Sequence, residues 1–156
     1  MLKESPAIPS KELFRLTIAG GVVFWATSIA TSLLPIAAEY RAAYSDWSIQ
    51  TVWVTSLLMG MIIAYCVSWF LLRYFDKLPS KNPMLKSGIL SFIALIIAVI
   101  LIDVPQSFFG ISNPSAALYY FLIGVMFNGA RFLLLGIGIG YLYTERTHSL
   151  VKGDKK

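Results

Sequence analysis

Four apolar stretches alternate with short polar segments along this chain, each near the ~20 residues needed to cross about 30 Å of hydrocarbon. They run over 13–34, 49–72, 84–102 and 115–143. Helix punctuation falls between them. Ser10 stands where a cap for the first stretch belongs, and Pro35 closes it. Ser45 or Asp46 opens the second, while Asn82-Pro83 and Asn113-Pro114 each place a capping side chain before a proline at the first helical position. The pattern predicts an all-α integral membrane protein: one domain of four transmembrane helices, packed as an antiparallel bundle, with polar tails at 1–10 and 144–156. The uncharged middle of the third stretch, 87–102, is the shortest and predicts a span with little tilt. The connection 36–44 is alanine-rich and suits a brief interfacial helix, and 104–113 reads as a loop whose Phe108-Phe109 dips into the headgroups.

Charge gives the pattern a direction. Lys3, Lys11 and Arg15 precede the first span; Arg73, Lys77, Lys81 and Lys86 lie between the second and third; Arg146, Lys152, Lys155 and Lys156 follow the fourth. Of the 13 basic residues this leaves Arg41 in the first outer connection and Arg131 inside a span. The positive-inside rule therefore predicts both termini in the cytoplasm, and a multi-pass protein of the plasma (inner) membrane fits that bias. Tyr40, Tyr44, Trp47, Trp53, Tyr119 and Tyr120 would form an outer aromatic belt, and Trp69, Tyr74, Tyr141 and Tyr143 an inner one. No apolar run lies within residues 1–10, so no cleaved signal peptide is expected. Bases confined to the flanks of apolar runs are membrane anchors, so the net charge of +5 does not predict a nucleic-acid partner.

Helices associate in lipid through small residues that let backbones approach. The second span offers Ser56, Gly60, Ala64 and Ser68 at successive i, i+4 positions, and the fourth offers Gly129, Gly136 and Gly140 on a shared face. These faces are expected to pack the chain against itself. The alternative is that one of them faces outward and makes a homo-oligomer or docks a partner membrane subunit.

Arg131 stands apart. It lies roughly 18–22 Å from either end of the fourth span at ~1.5 Å per residue, near the midplane. A central arginine costs about 2.5–3.5 kcal/mol on insertion scales, so it is expected to face the protein interior with a partner. Asn128 shares its helix face. Of the eight acids, Asp103 at the outer end of the third span is nearest in depth, and the two side chains lean toward one another. A pair between Arg131 and Asp103, direct or through Asn128 or water, is the expected arrangement. It reads equally as a structural lock between the third and fourth spans and as a site for an anionic solute or lipid headgroup.

Other chemistry is sparse. His148 has no second metal ligand nearby in its polar tail, Cys66 is the sole cysteine and reads as a packing residue, and no nucleotide loop or zinc-protease helix occurs. Proton-coupled transport usually relies on an acid within a span, and here only Asp103 qualifies, at a span end. No cofactor, metal or catalytic constellation is expected, and membrane lipid is an expected contact. A non-enzymatic membrane-complex subunit or interaction protein is the leading expectation. A transporter or channel component for a small or anionic solute at Arg131 is the alternative, followed by a lipid-headgroup enzyme.

Overall fold

The computed structural model describes residues 9–44, 47–78, 80, 82–110 and 113–153, and is helical through almost all of them. Helix α1 spans Ser10–Ser32, α2 Pro35–Tyr44, and α3 Ile49–Tyr74 with a 3-10 turn at Phe75–Lys77. Helix α4 spans Pro83–Ala98, passes through a π turn at Val99–Asp103, and continues as α5, Val104–Gly110; α6 spans Pro114–Gly153. Four of the resulting rods are long and apolar enough to cross a membrane: Ser10–Ser32, Ile49–Lys77, Pro83–Phe109 and Pro114–Glu145.

The helix starts partly follow the sequence signals. Asn82 Oδ1 accepts from the Met84 amide at 2.9 Å and Asn113 Oδ1 from Ser115 at 3.0 Å, each directly before a proline. Ser10, by contrast, is already helical; Pro9 holds the cap position without a side-chain bond. Ser45 and Asp46 lie outside the described residues, and α3 is capped instead by Ser48, whose hydroxyl accepts from the Thr51 amide. Pro35 begins α2 rather than merely ending α1, because a proline needs no partner for its missing N–H in a first turn.

The largest departure is at 104–113, where a helix stands over most of the expected loop. Pro105 offers no N–H to the Leu101 carbonyl, and its ring crowds that group. One widened turn relieves the conflict, with the Val104 N–H bonded to Val99 O, five residues back. The helix then runs on to Gly110 instead of breaking.

Helix α1 packs against α3 on one side and α6 on the other, and α4 packs against α6. The stripe of Ser56, Gly60, Ala64 and Ser68 is buried. A Cβ on Gly60 would sit 2.8 Å from Phe24 Cδ1, and one on Gly20 would sit 3.0 Å from Ala64 Cβ, so α1 occupies this stripe. Gly136 and Gly140 perform the same service for α4, facing Ser91 and Ser87 respectively. Ser87 Oγ also donates to Gly136 O across that contact at 2.7 Å. Gly129 does not join them: a Cβ there meets no atom within 4 Å, which corrects the expectation of a common packing face. Leu16, Phe24, Val67, Leu71, Phe132, Leu135 and Ile139 form the principal apolar core.

Lys86, expected as a flanking anchor, is buried, and so is Glu12. Lys86 folds its stem under the end of α3, donates to the Phe75 carbonyl and rests its ammonium 3.6 Å from the Phe75 ring centroid. Glu12 is buried in the first turn of α1, where the helix dipole favours an acid. Arg15 and Glu145 meet at 3.9 Å between α1 and α6, an exposed pair of small energetic weight.

Candidate functional site

The π turn decides where the acid goes. It carries Asp103 into a buried position facing α6, with only 4% of its surface exposed. There Asn128 Nδ2 donates to both carboxylate oxygens, at 3.1 and 2.9 Å. The same amide turns its oxygen to Arg131, whose Nη1 donates to it at 3.2 Å. Asp103, Asn128 and Arg131 thus form a chain of polar contacts in which the amide separates the two charges. One end of an amide accepts and the other donates, so asparagine suits this position between an anion and a cation.

The guanidinium is only partly satisfied by this chain. Its Nη2 reaches Thr31 Oγ1 on α1 at 3.5 Å, a long contact, and its buried Nε has no hydrogen-bond partner among the described residues. A buried donor left unmade is costly, of the order of 1–3 kcal/mol and more when charged.

Space lies directly in front of it. A cleft of two adjoining lobes lies between α1, α3, α5 and α6 beside α2. The inner lobe, about 260 Å³, is lined by Asp103, Asn128, Arg131, Thr55 and Ser56. The outer lobe, about 380 Å³, is lined by Arg131, Arg41, Gln106, Thr31, Tyr44 and Trp47. Tyr40, Trp47, Val52, Gln106, Phe127 and Arg131 border both. Among the described residues the outer lobe is therefore lined by two arginines and no carboxylate, while the inner one balances Arg131 with Asp103.

Helix α2 is held over this cleft by specific contacts. Ala37 packs into Ile123 and Phe127 of α6, and the Tyr40 ring lies edge-on to Phe127 at 5.9 Å. Gly124 makes room for Tyr40: a Cβ there would stand 2.8 Å from its hydroxyl oxygen. Tyr44 shares a 2.7 Å hydrogen bond with Ser107 of α5, and Tyr120 donates to Glu39 Oε1 at 3.2 Å. Glu39 is thereby engaged away from the arginine lobe.

Burial pushes the Tyr40 phenol well above its ordinary value, and the negative charge of Asp103 adds to the effect. The folded phenol then holds its proton where the unfolded one has lost it. Its contribution to stability is complete below about pH 10 and is lost as pH rises beyond that value. Thermal unfolding followed against pH should show a fall above pH 10 that Tyr40→Phe makes shallower; an unchanged profile would remove Tyr40 from the account.

The sequence named Arg131, Asn128 and Asp103, and the fold brings them together. Tyr40, Arg41, Trp47, Thr31 and Gln106 escaped notice as site residues. Arg41 carried one usable signal, being the sole base of the outer connections. The rest sit on ordinary interfacial or apolar segments, and nothing in their spacing points to a shared cleft.

Compared with known proteins, the chain matches no protein-family model, no curated protein and no solved structure.

Proposed function

We propose that this chain is a plasma-membrane protein of four antiparallel spans, both termini cytoplasmic, that receives a small anionic group from the outer side in the Arg131 cleft. It would act as a transporter or channel component rather than as an inert subunit. One observation carries the reading: among the described residues, a lobe with Arg131 and Arg41 on its walls and no acid in its lining, and a buried Nε on Arg131 without a hydrogen-bond partner. Guanidinium groups present planar forks of donors that match phosphate or carboxylate oxygens. A purely structural lock would need neither the second arginine nor the space. The small-residue stripes that would dock a partner subunit are engaged within the chain, apart from Gly129.

Inorganic phosphate supplies a direct test. A millimolar site at tenfold ligand excess contributes about 1.4 kcal/mol, enough to raise the melting temperature of purified protein in neutral detergent by a few degrees. Arg131→Met should abolish that rise, and Arg131→Lys should retain part of it. An equal rise in wild type and Arg131→Met would reflect general salting-out and overturn the reading.

A further inference from the structure

The cleft does not end at Asp103. Its inner lobe shares Met59, Ile63, Ala98, Ile102 and Phe132 with a third space of about 600 Å³ between α3 and α4. Cys66 apart, only apolar side chains line this groove among the described residues, and it extends from Ile102 in the π turn down α4 to Leu90. Twelve residues of helix rise about 18 Å, slightly more than one leaflet of a ~30 Å hydrocarbon layer. Its lips, Ile62, Ile93, Ile97 and Leu101, are exposed, so the groove is open sideways to the surrounding medium. An arginine-lined polar cleft thus borders an apolar trough of leaflet depth, with the five shared side chains lining both.

We infer that the occupant is a single amphiphile, a lipid with a phosphate head whose hydrocarbon chain lies in the α3/α4 groove. This rests on the anion reading above and narrows its ligand. The head would meet Arg131 and Arg41 in the outer lobe, where charge is complementary. The chain would pass the Met59 and Ile102 side chains into the groove, where about 0.8 kcal/mol per buried methylene favours it over water. A free anion would use the lobes alone and leave the groove to bulk lipid. Zwitterionic lipid fills the groove equally well, but its ammonium opposes the two arginines. Entry from the side also removes the need to draw the chain through water.

Cys66, the only cysteine, lines the groove and is exposed there, so it reports occupancy in the unaltered protein. The protein is purified in neutral detergent and treated with a membrane-permeant maleimide, with added dioleoyl phosphatidic acid, dioleoyl phosphatidylcholine or inorganic phosphate. Phosphatidic acid is expected to slow alkylation of Cys66 on the order of tenfold relative to phosphatidylcholine. Arg131→Met should erase that difference, whereas inorganic phosphate should not slow the reaction. Native mass spectrometry of Ala94→Trp and Ile62→Trp, which fill the groove from opposite walls, should show loss of retained phosphatidic acid with the phosphate-induced thermal shift intact. If both variants keep the lipid, or if both lipids protect Cys66 equally while phosphate still stabilises the wild type, the lipid inference falls and the anion site stands. If neither phosphate nor phosphatidic acid produces an Arg131-dependent effect, the anion reading falls with it.

Discussion

Asn128→Leu is expected to destabilise the protein more than removal of either charge it separates. Asp103 is nearly inaccessible, and both its hydrogen bonds from side chains come from the Asn128 amide. Leucine has similar bulk and fits the apolar surroundings, but it leaves a buried carboxylate without a donor. Stranding a buried charge in this way costs about 3–5 kcal/mol. Arg131→Met is milder, because Asp103 keeps its amide and the guanidinium loses only a 3.2 Å bond and a 3.5 Å contact. The decisive comparison is the double variant Asp103→Leu with Asn128→Leu. Removing the orphaned acid should restore much of what Asn128→Leu loses, as judged by thermal unfolding in detergent. A double variant no more stable than the Asn128 single would show that the carboxylate does not depend on this amide. An Asp103–Arg131 cycle should give a smaller coupling, since no direct ion pair joins them.

The second large effect is expected at the α4–α6 contact. A Cβ on Gly136 would fall 2.7 Å from Ser91 Oγ and 3.2 Å from the Gly88 Cα, and the latter is backbone that a rotamer change does not move. Gly136→Val must therefore push the helices apart. That breaks the Ser87–Gly136 hydrogen bond and opens space on both sides of it. Overpacking of this kind costs about 1–3 kcal/mol, with a further loss of roughly 0.5–1.5 kcal/mol for the hydrogen bond. Gly129→Ala is the matched control on the same helix. With open space around it, the substitution is expected to be neutral or to stabilise by up to about 1 kcal/mol through helix propensity. Thermal unfolding of the three proteins side by side checks the contrast; equal losses at Gly129 and Gly136 would contradict the packing described.

The lengths and apolar content of the helices were legible in the sequence because each residue contributes independently to them. Arg131 was legible for a related reason, since a charge deep in an apolar run is conspicuous without any knowledge of its neighbours. The cleft was not. It arises from side chains on α1, α2, α3, α5 and α6, each unremarkable on its own helix, and it exists only once those helices have fixed distances. Gly129 illustrates the same limit from the other side: it has the residue type and spacing of its neighbours on α6, yet its partner helix is not there. Lys86 also looked like a flanking anchor, and only the approach of Phe75 makes it a buried one. Over 104–110 a helix stands where a loop is expected, because a widened turn lets the chain carry Pro105 without breaking.

That widened turn has a geometric consequence for the side chains beyond it. An α-helix advances about 100° around its axis with each residue, so one extra residue in a turn rotates everything beyond it by that amount while lengthening the rod by only ~1.5 Å. Ser107, bonded to Tyr44, and Gln106, on the cleft wall, both lie beyond the turn. The angular phase of this segment, rather than its reach, thus governs which of its side chains face the cleft, and Pro105 is the residue that sets the phase.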